Sequence, residues 1–147
     1  MRIPGRHLGR RFVTSVSPAA PGAADESWAE GWLDPGEREL WSALSNADRR
    51  HAIEVARRFV RRRPEATRPE MAGALLHDVG KLEADLGTLG RVVATVVGPH
   101  GRRLRLYHDH EAIGARMAEA AGADPVTVAL IERRGPAAAA LHDADEI

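Results

Sequence analysis

The chain contains no cysteine. Disulfides, thiolate metal ligands and cysteine nucleophiles are thereby excluded, and the composition fits a reducing compartment. Aromatic residues are scarce, at 4% of 147 residues, although hydrophobic residues as a whole reach 44%. A core must therefore be assembled from Ala, Leu, Val and Ile, and this length accommodates one compact domain. Excess charge is lacking too: Lys plus Arg number 21, and so do Asp plus Glu. That balance carries no general signal for nucleic acid or an anionic membrane as partner. No apolar run approaches the roughly 18 residues of a membrane span. The basic N-terminus, with Arg2, Arg6, Arg10 and Arg11, lacks the apolar stretch of a secretory signal. These absences predict a soluble, cytoplasmic protein.

Lysine is nearly absent as well. Of the 21 basic residues only one, Lys81, is a lysine. An ammonium is a compact charge on a flexible stem, which arginine does not imitate. Its place just after a His-Asp pair marks Lys81 for a specific role.

What is present is mostly helix punctuation. Residues 1–27 are rich in Pro, Gly, Ser and scattered Arg without periodicity and predict a flexible basic arm. Residues 28–147 form the predicted domain. Asp34-Pro35 with Glu37 combines an N-cap, a first-turn proline and a capping-box acid, opening a helix to about residue 45. Asn46 is positioned to cap a second helix, near 47–63. Thr67, Pro69 and Glu70 open a third, near 68–82. Leu86, Leu89, Val93 and Val97 follow helical spacing for a fourth, against the β-branched run at 92–97. Gly98-Pro99 begins a basic loop with Arg102, Arg103 and Arg105. Asp109 can cap a fifth helix, Asp124-Pro125 opens a sixth ending near Arg133, and Gly135-Pro136 opens a seventh. No internal repeat and no strand alternation compete with this pattern. The fold class expected is all-α, a single bundle of about six or seven helices.

Chemistry-bearing residues fall on three of these helices. Met71 to Leu76 is apolar on almost every side, so the third helix should be central and buried, yet it runs straight into His77-Asp78. A buried carboxylate must be paired; the cation meeting Asp78 is either an arginine or a metal ion. His51 stacks with Val55 and Phe59 at i, i+4, i+8, on the edge of an apolar arc, so its ring can reach inward. On the last helix Ala138, Leu141 and Asp145 share a face. Asp143, about 200° from Leu141, should point outward, and His142 and Glu146 should be solvated. Histidine with aspartate suits a divalent ion such as Mn, Fe, Co, Ni, Zn or Mg.

In this order the residues resemble the HD superfamily of metal-dependent phosphohydrolases. The pattern reads Arg50-His51-Ala52, then Leu75-Leu76-His77-Asp78-Val79-Gly80-Lys81, then Leu141-His142-Asp143-Ala144-Asp145. It covers residues 47–147. The resemblance implies that His51, His77, Asp78 and Asp145 hold one divalent metal. It implies hydrolysis of a phosphate ester or anhydride in a small phosphorylated substrate, a nucleotide or dinucleotide, by metal-activated water. A second stretch, His110-Glu111-Ala112-Ile113-Gly114, is similar to the segment that binds a second metal in some branches. His110 is thus a ligand for a second metal or for substrate, or else a solvated histidine at a helix N-terminus. Lys81 sets the chain nearer the dinucleotide-polyphosphate and cyclic-dinucleotide hydrolases than the deoxynucleotide monophosphatases.

The chain also departs from that pattern. The two-metal branches carry another histidine shortly after the sixth helix, where this chain has Arg133 or Arg134. A protonated arginine cannot ligate a metal but can bind phosphate through a bidentate fork. Two arrangements follow: a mononuclear site with Lys81 and Arg134 on the substrate phosphate, or His100 or His108 standing in as the missing ligand. Lys81 is the catalytic candidate that would offset charge on the phosphoryl oxygens; Glu83 and Asp85 are alternative general bases. Three other readings share the same residues: a non-catalytic metal- or nucleotide-binding regulatory module, a di-iron oxygenase, and an interaction domain with a buried Arg–Asp pair.

Overall fold

A computed structural model describes residues 18–82 and 110–146. Among these residues there are seven α-helices and no strand. They are α1 (Ala23–Glu30), α2 (Pro35–Ala43), α3 (Asn46–Arg62), α4 (Arg68–Leu75), α5 (His110–Ala120), α6 (Pro125–Ile131) and α7 (Ala138–Asp145), with a 3₁₀ turn at Val79–Lys81. The all-helical class expected from the spacing is the one observed. The fourth expected helix (86–97), the basic loop with Arg102, Arg103 and Arg105, and the residues His100, His108, Asp109, Glu83 and Asp85 lie outside the described residues.

Caps explain where most helices start. At α2, Glu37 accepts from the Asp34 backbone N–H at 2.8 Å, closing the expected box. At α4, Glu70 accepts from Thr67 N at 2.9 Å and the Thr67 hydroxyl accepts from Glu70 N at 3.4 Å. The α3 cap falls one residue earlier than expected: Ser45, not Asn46, accepts from Asp48 N at 3.1 Å. Asp124 caps α6 through Val126 N at 2.8 Å. The last helix begins at Ala138 rather than at Gly135-Pro136 because Gly135 sits at φ 95°, outside helical space.

One expectation is corrected at the N-terminus. The end of the supposed arm, residues 23–27, is the first part of α1. The helix is held by tertiary contacts that no local pattern reveals. Trp41 Nε1 donates to Glu26 at 2.6 Å, Arg57 pairs with Asp25 at 2.6 Å, and the Arg57 guanidinium lies 4.2 Å from the Trp28 ring centroid. Even residues ahead of α1 are tied down: Asn46 donates to Pro18 O at 3.0 Å, and Arg50 donates to Ala19 O.

Helix α4 is the centre. Met71 to Leu76 are all buried, and burial of each Leu or Met side chain contributes about 1.5–3 kcal/mol. The helix packs between α3 and α6; α6 also packs on α5, and α7 packs along α3. Thr127 of α6 donates to Pro69 O at 2.7 Å, fastening α6 to the first turn of α4. Arg58 of α3 donates from Nε to Ala144 O at 2.7 Å, which holds the last turn of the chain's final helix in place.

The third expected helix, 68–82, is not continuous. Regular α-helix stops at Leu75, and Leu76 (φ −100°, ψ 9°) and Asp78 (φ −102°, ψ 10°) lie off helical values before the 3₁₀ turn. The consequence is chemical. Adjacent residues on an α-helix diverge by about 100°, whereas this turn lets His77 and Asp78 face the same point.

Candidate metal centre

Four side chains converge at the end of α4. The donor atoms of His51, His77, Asp78 and Asp145 all lie within 4.8 Å of one another. His77 Nε2 is 3.3 Å from Asp78 Oδ2 and 3.3 Å from Asp145 Oδ1. His51 Nε2 is 3.4 Å from the same Asp145 oxygen and 4.0 Å from Asp78 Oδ2. Donors around an ion with bonds near 2.1 Å stand roughly 3–4 Å apart, so the four atoms need little adjustment to share one.

Each ligand arrives by a separate structural cause. Val55 and Phe59, one and two turns after His51 on α3, are fully buried, and His51 stands half-buried at the edge of that stripe, as its spacing predicts. His77 is fully buried at the end of the central helix. Asp145 is half-buried, held over α3 by the packing of α7. Asp143 is exposed, and His142 pairs with Glu146 at 3.0 Å in solvent, as the helical arithmetic requires.

The protonation pattern at His77 suits a ligand. Its Nδ1 lies 2.6 Å from Ala74 O, a carbonyl that can only accept. The proton therefore sits on Nδ1 when the ring is neutral, and the Nε2 lone pair points into the cluster. In that neutral form Nε2 is buried and receives no hydrogen bond from the described residues; once protonated, it can donate to the two carboxylate oxygens 3.3 Å away. A buried polar atom without a partner is uncommon and needs an explanation, and a cation between His77 and the two carboxylates supplies one. Two imidazoles and two carboxylates carry a net charge of −2 when the imidazoles are neutral, matching a divalent ion. The residues present fit a metal.

The electrostatics of the four side chains by themselves are those of a proton standing where a cation fits. Burial alone lowers the pKa of His77, but hydrogen bonding and charge from Asp145 and Asp78 outweigh it and push the value from 6.5 up to about 9. Burial raises the pKa of both carboxylates, yet the neighbouring imidazoles win. His77, with Lys81, holds Asp78 below the usual carboxylate range. His51, His77 and Arg133 do the same for Asp145.

Around this core stand three further groups. Lys81 Nζ lies 3.1 Å from Asp78 Oδ2, with its side chain more than half exposed. His110 Nε2 lies 4.0 Å from the other oxygen, Asp78 Oδ1, so the histidine faces the cluster instead of open solvent. It can do so because α5 approaches the 3₁₀ turn very closely: a Cβ on Gly80 would fall 1.8 Å from His110 O, and one on Gly114 would fall 3.0 Å from Gly80 N. Gly114 thus lets α5 come close, and its partner is the turn carrying Lys81.

Of the two arginines after α6, the structure brings Arg133 to the cluster. Its Nη2 donates to Asp145 Oδ2 at 3.0 Å, and its Nε lies 3.7 Å from Glu111 Oε1. Arg134, the one expected to hold phosphate, instead forks onto Glu132, with Nη2 at 2.7 Å and Nε at 2.8 Å, and is exposed. The physical reason is the turn. Arg133 has φ 61°, the sole positive φ of a non-glycine among the described residues, and this left-handed conformation sets which side chain faces α7. Sequence spacing names both arginines and contains nothing that chooses between them.

No family model, curated protein or solved structure matches the chain. The reading of the site thus rests on its own geometry.

Proposed function

We propose that this protein is a metal-dependent phosphohydrolase of the HD type, cleaving a phosphate ester or anhydride of a small phosphorylated substrate such as a nucleotide or dinucleotide. One observation carries the reading: the buried Nε2 of His77, oriented by Ala74 O and receiving no hydrogen bond from the described residues, faces two carboxylates and a second imidazole brought from α3, from α7 and from the turn after α4. A divalent ion held by His51, His77, Asp78 and Asp145 would supply an acidified water and polarise a phosphoryl oxygen. The chain's own residues do the rest. Asp78 and Asp145 set the charge of the site, and Ala74 O keeps the His77 ring in its ligating tautomer. Lys81, whose side chain is mostly in solvent beside Asp78, can turn from the carboxylate to a substrate phosphoryl oxygen and neutralise charge developing there. His110, on the far oxygen of Asp78, can donate to the substrate.

The test is hydrolysis by purified protein, freed of metal and reloaded with Mn, Co, Ni or Mg, against a panel of nucleotides, dinucleotides and generic phosphoesters. Metal-dependent turnover that is lost in His77→Ala and Lys81→Ala supports the proposal. Metal binding without turnover of any phosphoester would overturn the hydrolase reading in favour of a binding module built on the same four ligands.

A further inference from the structure

We propose that Arg133 is a positioning residue of the metal cluster: its guanidinium clamps Oδ2 of Asp145, so that this carboxylate presents Oδ1 alone to a single ion. The inference rests on the metal-binding reading above and adds to it a residue outside the ligand set.

Two helix ends make the case. Helices α5 and α6 both finish in the same hydrogen-bonded turn. After α5, Ala123 N donates to Ala118 O at 2.9 Å and Gly122 N to Glu119 O at 3.0 Å. After α6, Arg134 N donates to Ala129 O at 2.8 Å and Arg133 N to Leu130 O at 2.9 Å. Both are Schellman turns, whose left-handed residue is usually glycine. The first has Gly122 there, at φ 83°. The second has Arg133, a side chain that this backbone conformation disfavours.

The arginine is also costly where it lies. Its side chain is only 19% exposed, and among the described residues neither Nε, 3.7 Å from Glu111 Oε1, nor Nη1 finds a hydrogen-bond partner. Strained backbone and desolvated charge together are out of proportion to a surface ion pair. What they achieve is the division of Asp145. Oδ2 is bound to Arg133 at 3.0 Å, while Oδ1 is 3.3 Å from His77 Nε2 and 3.4 Å from His51 Nε2. The carboxylate is thereby turned with one oxygen into the cluster, and its outer oxygen is taken by a fixed positive charge that repels a second divalent ion. Groups that orient a metal ligand from behind commonly change metal affinity 10–100-fold when removed.

The experiment compares the full-length wild type with Arg133→Asn, Arg133→Gly and Arg133→Lys. Asn and Gly accept the left-handed conformation, so they remove the guanidinium without adding strain, and thermal unfolding of the metal-free proteins checks that each variant folds. Calorimetric titration with Mn and Co, metal-to-protein ratios, and the visible spectrum of bound Co(II) are the readouts. The expected result is one ion per chain in the wild type, affinity about 10–100-fold weaker in the Asn and Gly variants, a changed Co(II) spectrum, and partial recovery with Lys. Folded Asn and Gly variants with unchanged affinity and spectrum would overturn the role of Arg133 while leaving the metal site standing. Two ions per wild-type chain would overturn it as well. A wild type that binds no metal removes the metal reading itself, and this inference with it.

Discussion

Helix α4 carries a buried acid in its first turn, a half-buried one lies just past its last, and the two are partnered in opposite ways. Glu70, at the N-terminal end, is satisfied entirely by its neighbourhood. Arg63 grips it with Nε at 3.2 Å and Nη2 at 3.1 Å, and Thr67 N donates at 2.9 Å. Burial raises its pKa, but Arg63 and Thr67 more than offset that and lower it. Asp78, at the other end, meets no arginine among the described residues. It faces imidazoles of His77, His51 and His110 and the exposed Lys81, groups that can release it. A carboxylate locked by a bidentate guanidinium is closed to ligands. One surrounded by imidazoles and an exposed ammonium can exchange those partners for a metal cation. The same helix thus supports a structural ion pair at one end and a ligand set at the other.

That contrast can be broken experimentally, and the largest effect should come from the open end. Asp145→Ala or His77→Ala should weaken divalent-metal binding by more than about 100-fold, beyond the range typical of outer-sphere partners, whereas Glu70→Gln should leave it unchanged. Calorimetric titration with Mn or Co checks both; comparable losses from the two ends would erase the distinction.

Next in size is Gly80→Ala, which tests whether the open end depends on close packing behind it. The new methyl would meet the backbone oxygen of His110 at 1.8 Å. That contact cannot be relieved by a side chain, so α5 must move, at a cost of about 2–3 kcal/mol. Urea denaturation should show the loss, and metal affinity should fall with it.

At the closed end, Glu70→Gln should cost about 2 kcal/mol, the scale of hydrogen bonds to a charged group, measured by the same denaturation with metal present or absent. A loss that disappeared when metal was added would mean that the two ends are coupled.

The last effect is the pH dependence of the chelator-treated protein. His77 has its pKa raised from 6.5 to about 9, so its contribution to stability is complete below 6.5 and is lost as pH rises through about 9. Glu70, Asp78 and Asp145 have lowered values, so their contributions are complete above the ordinary carboxylate range and are lost as pH falls through their lowered values. The midpoint of thermal unfolding should therefore decline between about pH 7 and pH 9.5 without metal. Bound Co(II), replacing the proton between His77 and the two aspartates, should abolish that decline. An alkaline slope identical with and without metal would count against a shared position for proton and ion.

Much of this was written in the sequence because it is local. Capping residues, the period of the apolar stripe and the angle between successive side chains act within a few residues. They suffice to open α2, α4 and α6, to turn His51 inward, and to separate Asp145 from Asp143. The break after Leu75 was not legible, because the apolar run continues past it and only the approach of α5 onto Gly80 gives the turn its reason. Helix α1 was hidden for the same kind of cause, its hold being the contacts of Asp25, Glu26 and Trp28 with α2 and α3.

By itself, then, the sequence determined the helical class and the four residues able to form a cluster, since both follow from residue type and short-range spacing. Tertiary structure alone decided that their donor atoms meet within 4.8 Å and that Arg133 rather than Arg134 stands on Asp145. Convergence of three helices and the hand of a helix-ending turn depend on packing between segments far apart in the chain, and no spacing along one segment encodes them.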